Sequence, residues 1–478
     1  MPKIAHKLIA EVDMANDSNL ETYGVDSIPE SDRTAKPSEI VKMLWGGNLS
    51  LSVMVFGWLA ILYGLSWWQA VSAIVIGTLV GSLLVAGAGL LGFRSATNNS
   101  VTSGAFFGVR GRLIASLVGL LLCLQYIALA IWTGGDTLAS VWARLGNYEL
   151  SSESVLELSV SYIVISVSVI AAAIYGYKIL LKLNNLIVPI IGITMMLVVF
   201  ALWPLFDASY AGTPELYALV DLTPTWMLAA LTAGAAGPIS YVTLAGDWSR
   251  YVSPERHSAK EVFKATFWGL FIGLTVPTLF GAFVSVSAFD EFSLVTGLLR
   301  ETPGWLLIPI LILGFIGSLG QGGLNLYSMG LDMDAILPKL SRLQSTLLVA
   351  VISLALVFLG RFVYDAEAAV TNSVLFLTSL ATSWGAITLF GYWRHKGQFD
   401  QADLQVFNQR KHGGRYWFTA GWNLKATFAW IAGSAAGITG ISSVDFVGPV
   451  AEKLSFVDVS IPLSAVVGIA VYAALERN

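Results

Sequence analysis

The stretch LTAGAAGPISY (231–241) interrupts an apolar run of transmembrane length, about 225–246. Gly234, Gly237 and Pro238 fall near its middle. Proline removes a backbone donor and glycine weakens a helix, so amides and carbonyls are released there. Free backbone groups persist at membrane depth only where a cavity or ligand satisfies them. The first apolar run, LWGGNLSLSVMVFGW (44–58 of about 44–65), carries a second interruption at Gly46, Gly47 and Asn48. The two lie five runs apart, and an odd offset gives the two halves opposite orientation. Interrupted helices at corresponding positions of inverted halves point to the binding site of a secondary transporter. The alternative at each is a packing kink, since Gly and Pro are common in membrane helices.

Composition agrees with a membrane protein. The 478 residues are 55% hydrophobic and 12% charged, against about 25% charged in soluble domains, and mean hydropathy is +0.71. Further apolar runs stand at about 68–92, 113–142, 158–177, 184–205, 261–288, 304–331, 345–364, 367–393, 423–442 and 456–475. That makes an all-α integral membrane chain of about twelve spans. With a cytoplasmic N-terminus, only Arg144, Arg300, Arg361 and Lys453 of the 27 Lys and Arg fall in outside segments. The outside loops instead carry Glu149, Glu153, Glu157, Asp207, Glu215 and Asp221. Basic residues accumulate on the cytoplasmic side, so both termini are expected inside a cell membrane. The polar first 43 residues have no secretory signal pattern and read as a cytoplasmic arm lying against the first span.

The chemistry-bearing residues are few. Asp136 stands in the third run with Trp132 one helical turn earlier on the same face. A carboxylate at membrane depth costs about 2.5–3.5 kcal/mol on insertion scales and persists when it faces a cavity, a partner or a translocated species. A flat aromatic above a hydrogen-bonding acid suits a small planar polar ligand. The alternative is an Asp that ties two helices together. The lone Cys123 excludes disulfide and zinc chemistry. His6, His257, His395 and His412 lie in polar segments without metal-ligand spacing. No metal site, catalytic residue or cofactor loop is expected, nor a nucleic-acid surface. HExxH and GxSxG are absent, which disfavours a membrane enzyme. The spans show no charge rings or repeated filter of a channel.

Six stretches in order resemble the nucleobase–cation symporter family, in particular its purine–cytosine permease branch. They are GVDSIPESDRT (24–34), NLSLSVMVFGWLAILYGLSWWQA (48–70), SGAFFGVRGR (103–112), GPISYVTLAGDWSRY (237–251), LNLYSMGL (324–331) and SWGAITLFGYW (383–393). The resemblance implies a LeuT-type fold. Residues 44–205 would form one five-helix repeat, 225–393 its inverted counterpart, 394–422 a cytoplasmic loop and 423–475 two C-terminal helices. It implies alternating access and uptake of a nucleobase-like heterocycle, such as cytosine or a purine, with a cation. An amino acid, hydantoin, allantoin or vitamin precursor is the alternative cargo on the same fold.

Carried over by position, the substrate residues become Trp132, Asp136, Gly237, Pro238, Ser240, Tyr241 and Asn325. Gln125, Gln321 and Asn48 are secondary candidates. The family's second stacking ring has no counterpart at Gly237-Pro238, so Tyr241 or Trp58 supplies it, or the ligand stacks on one side. The less favoured alternative for Asn325 is a hydrogen bond between helices, and Tyr327 could simply pack. Sodium-coupled relatives use a hydroxyl pair in span 8, where SLGQGGLN (318–325) offers Ser318 and Gln321 without one. The coupling ion is therefore expected to be H+ rather than Na+, with Asp136 the first candidate to carry it. Asp247 and Arg250, three residues apart, serve an inner gate or anchor a loop. Asp332 and Asp334 are expected to be solvated.

Overall fold

The computed structural model describes residues 24–148, 150, 154–174, 177–290, 293–337, 339, 340, 342–363 and 366–477. The first 23 residues of the arm (with His6), Glu149, Glu153 and the side chain of Asp334 lie outside the described residues. The main helices are α1 (Pro37–Asn48), α2 (Leu51–Leu62), α3 (Trp67–Ala86), α4 (Leu113–Leu145), α5 (Val155–Ile174), α6 (Tyr177–Leu202), α7 (Leu222–Ala229), α8 (Ala236–Ser240), α9 (Gly246–Ser249), α10 (Ala259–Ser287), α11 (Leu294–Glu301), α12 (Leu307–Ile336), α13 (Arg342–Phe362), α14 (Ala366–Arg394), α15 (Leu424–Thr439) and α16 (Ser460–Glu476). Among the described residues there are isolated β-bridges but no strand.

Among the described residues eight helices are long and apolar enough to cross a membrane, and the bent pair α1–α2, counted as one span, makes a ninth. The other expected spans fall on the interrupted segment α7–α9 and on α15 and α16. At 16 and 17 residues, these last two are about 24–26 Å long, short for an untilted crossing of a core about 30 Å thick. Large apolar side chains such as Leu83, Leu156, Val167, Phe200 and Val466 stand exposed along the spans, where acyl chains replace water as their solvent.

Small residues let helices approach at backbone distance, since hydrophobic burial cannot drive helix association in lipid. Gly57 of α2 and Gly281 of α10 have no room for a Cβ against the Thr278 and Met54 carbonyls. Gly134 and Gly314 do the same between α4 and α12, against Ser318 and Thr137. Ser464 on α16 donates to the Ser379 carbonyl of α14 (2.6 Å) and fastens the last helix to the bundle.

Both expected interruptions exist, with different local geometry. The first is a 64° bend between α1 and α2 at Leu49–Ser50. The second spreads over a π-turn at Ala230–Ala235, the short α8, and a non-helical turn at 241–245 before α9. Pro238 does not break the helix where it stands. It follows the π-turn by three residues within a continuous helical stretch, and the widened turn before it is where the proline ring and its missing N–H are accommodated. Gly234 lies on the π-turn because α3 passes there: a Cβ would stand 2.6 Å from the Gly77 Cα. The turn after α8 is supported from the side, as Asn99 donates to the Val242 carbonyl (2.8 Å) and the Ala88 carbonyl (3.1 Å).

Candidate functional site

The bend in α1–α2, the π-turn and α8, and the middle of α12 converge on one closed chamber. Asn48, Phe56, Tyr126, Thr232, Gly234, Gly237, Ser240, Tyr241, Gln321 and Asn325 line it, with no charged side chain in its wall. Its volume is about 10 Å³, room for about one water. A ring enters only if the aromatic walls withdraw.

Each polar group here has a fixed direction. Tyr241 donates its hydroxyl to Asn48 Oδ1 (2.8 Å), while Asn48 Nδ2 donates to the Leu44 carbonyl (2.7 Å). This bond ties the bent first helix to the end of α8. Ser240 donates to the Gly237 carbonyl (2.6 Å) and Asn325 Nδ2 to the Gln321 carbonyl (2.9 Å). Gln321 Oε1 accepts from Ser50 (2.7 Å) and from Ser52, clasping α12 to the first bend. Phe56 and Tyr126 present rings 6.4 Å apart at 56°. The chamber therefore offers aromatic faces, amide edges and hydroxyls without a net charge.

Of the residues expected from sequence, Gly237, Ser240, Tyr241 and Asn325 share this chamber, joined by Asn48 and Gln321. Pro238 is absent from its lining and packs its ring toward Gly81 of α3. Trp132 and Asp136 stand elsewhere, in a second small cavity with Trp58, Thr133, Ser293, Leu294 and Val295. Six residues separate Tyr126 from Trp132, which is about 9 Å of rise and a rotation onto another face of α4. Asp136 accepts from the Tyr162 hydroxyl of α5 (2.6 Å), and Arg361 of α13 lies within electrostatic reach. Gln125 lines a lateral crevice between α4, α13 and α14. Phe56 and Tyr126 are the aromatic walls that sequence reasoning missed. No spacing signal distinguishes them from core aromatics.

Short structures close both ends. Helix α11 lies over the Trp132–Asp136 cavity; Trp58 Nε1 donates to the Asp290 carbonyl (2.9 Å) and Arg300 pairs with Asp290 (2.8 Å). At the other end Arg33 donates to the carbonyls of Arg250 (2.9 Å), Phe93 (2.6 Å) and Val252 (2.6 Å), and Arg250 donates to the Gly24 carbonyl (2.6 Å). The arm is thus stitched to 93–97 and 250–252, beyond the contact with the first span that its sequence suggests. Asp332 is 2% exposed and accepts from Ser100 (2.7 Å). The expectation that it is solvated fails because α12 buries it against α4 and the helix at Asn99–Phe107. Asp247 is also 2% exposed, beside Arg250 and Ser328.

Residues 27–460 match the family model described as permease for cytosine/purines, uracil, thiamine, allantoin. The chain belongs to this family of nucleobase–cation symporters. The permease is 22% identical to the putative purine-cytosine permease YxlA of Bacillus subtilis over 479 residues, 95% of each chain. Among solved structures it is similar to Mhp1, a nucleobase-cation-symport-1 family transporter, in a closed conformation with bromovinylhydantoin bound. That likeness has a TM-score of 0.73 at 15% identity and covers 96% of this chain and 95% of the other. Inward-facing Mhp1 gives 0.72 at 16% identity, with the same coverage. A Na+-coupled sialic acid symporter gives 0.59 at 14% identity, covering 99% of this chain and 95% of that one. The fold is the LeuT type, with its two inverted repeats each opening on an interrupted helix. The permease is a membrane transporter and not an enzyme.

Proposed function

We propose that the permease imports a neutral nucleobase-like heterocycle, such as cytosine or a purine, together with H+, by alternating access between the α11 lid and the Arg33 strap. The observation that carries the reading is the uncharged chamber. Its rings suit the faces of a planar ligand, and its two Asn, one Gln and hydroxyls suit an edge of alternating donors and acceptors. An amino acid would leave an ammonium and a carboxylate without counter-charge in this wall, so the zwitterionic alternative is disfavoured. A hydantoin or allantoin has the same planar, neutral chemistry and remains the second reading.

Two features support proton coupling. Ser318, the hydroxyl that SLGQGGLN (318–325) offers, donates to the carbonyls of Ala130 (2.8 Å) and Gly314 (2.7 Å). Gln321 Oε1 is already occupied by Ser50 and Ser52. Ser50, Ser52 and Gln321 bring three oxygens together, but these are bound to one another through the hydroxyl hydrogens and would have to turn to coordinate sodium. Buried carboxylates instead lie on both sides of the chamber, Asp136 under the lid and Asp247 with Asp332 near the strap. We assign the coupling proton first to Asp136. The distribution of basic residues supports cytoplasmic termini in a plasma or inner membrane.

The test is uptake by purified permease in liposomes, with cytosine, purines, hydantoins and amino acids as competitors, across imposed proton and sodium gradients. Competition by planar heterocycles and accumulation driven by the proton gradient are expected. Competition by amino acids alone, or accumulation that follows sodium alone, refutes the respective half.

A further inference from the structure

A large cavity among the described residues is separate from the chamber. It is a groove of about 1270 Å³ on the flank of the bundle, walled by α6 and α10 and floored by Trp45 and Leu49. Its walls are apolar throughout, including Met195, Val276 and Phe283. Met196 and Phe200 are 65% and 77% exposed, yet they lie on candidate spans where water is excluded. Trp67, Trp203 and Trp305 stand at one end of the groove, where the flanking helices stop. Tryptophans gather at such membrane interfaces. From Val188 to Trp203 the groove follows about 22 Å of helical rise. One leaflet of hydrocarbon is about 15 Å deep. A groove that starts at the tryptophan rim therefore passes the midplane and ends at the bend of the first helix.

We propose that this groove is a binding site for one acyl chain of a phospholipid from the leaflet at the tryptophan end, lying with its methyl end against Trp45 and Leu49 and biasing the α1–α2 bend. The length, the wholly apolar wall and the rim of indoles fit a lipid tail entering from the interface. Left unfilled, the groove would forfeit the dispersion contacts of its lining. The floor makes the site more than a patch of lipid-facing surface. Trp45 and Leu49 flank the 64° bend, and Asn48 between them faces the chamber on the other side. Gly273 of α10 holds Trp45 closely: a Cβ at Gly273 would lie 3.0 Å from its ring. Any change in the bend moves Trp45 and Leu49 relative to α6 and α10, so the shape of the groove changes with it. A tail that fits one shape better shifts the equilibrium toward it.

Gly192 gives a clean test. It lines the groove and nothing lies within 4 Å of an added Cβ, so Gly192→Leu sets a branched side chain across the path of a tail from a position with open space. Wild type and variant are placed in vesicles of phosphatidylethanolamine and phosphatidylglycerol with a trace of phosphatidylcholine carrying a diazirine at the tail end. After illumination, adducts are mapped by mass spectrometry. Wild type should be labelled at Trp45 or Met195 as well as at general lipid-facing positions such as Leu83 and Val466. The variant should lose the groove adducts and keep the others. No groove adduct in wild type, or groove adducts unchanged in the variant, overturns the site. Gly192→Leu should also change the rate of substrate counterflow by about threefold or more; an unchanged rate after loss of the adducts overturns the link to the bend. Labelling needs no transported substrate, so it stands or falls separately from the proposed cargo. Should Gly192→Leu express poorly, Met196→Trp fills the same space from an exposed position.

Discussion

Tyr126 and Trp132 lie on one helix, and the rotation between them decides which ring meets the cargo. Trp132 with Asp136 one turn on is the pair that a sequence reader sees first, because an acid in an apolar run is rare. Tyr126 looks like any core aromatic until α8 and α12 are placed opposite it. Facing is set by tertiary packing, and residue spacing along α4 carries no record of it. Tyr126→Ala is therefore expected to raise the KM for uptake about tenfold or more, from lost stacking area, and Trp132→Ala to have the smaller effect. The reverse order in a side-by-side uptake assay would restore the indole to the site. Asn325→Ala should weaken binding by about 1–3 kcal/mol, because a polar edge of the ligand is left unpaired in a dry chamber; isothermal titration reads this directly. Asp136→Asn should spare binding and abolish proton-driven accumulation. Equal accumulation by this variant would remove Asp136 from coupling.

At the scale of elements, the apolar runs and both interruptions are legible in the chain, because length and hydropathy mark spans and Gly with Pro marks their weak points. What is not legible is why a given glycine is there. Gly234 reads as opened backbone around a ligand, yet it also allows α3 to pass, with Gly77 against it. Gly77 itself, inside an unbroken helix, gives no local sign of this contact. Gly77→Leu is expected to destroy the packing of α3 on the π-turn, since the new Cβ would meet the Ala230 carbonyl. Its detergent-solubilised protein should elute as aggregate in size-exclusion chromatography. A monodisperse peak at wild-type yield would show that the π-turn can shift to accept it.

Across the whole molecule, one chamber lies between two closures built from different materials. The lid is a short helix latched by Trp58, Asp290 and Arg300; the strap is irregular chain with one 3-10 turn at Glu30–Asp32, held largely through backbone carbonyls. The charge bias of the loops suggests a side for each segment, but irregular chain leaves no periodic trace, so the route of the strap cannot be read from its sequence. In a Cys123→Ala background, Arg33→Ala should raise the labelling of Thr243→Cys by an impermeant thiol reagent applied from the strap side. Protection equal to that of the intact strap would mean that the inner closure lies elsewhere.

Arg33 has one further consequence. Its guanidinium is a rigid plane, and two of its nitrogens serve three carbonyls contributed by two separate segments, Phe93 on one and Arg250 with Val252 on the other. Bonds from a charged donor are worth about 1.5–3 kcal/mol each, and a planar fork cannot keep some of them at full strength while its partners drift apart. Separation of the two segments is thus an abrupt event, crossed seldom and completed at once. A carrier so fastened is expected to leak little between turnovers and to open slowly, and Arg33→Lys, which cannot reach all three carbonyls at once, should raise the turnover rate in liposome uptake.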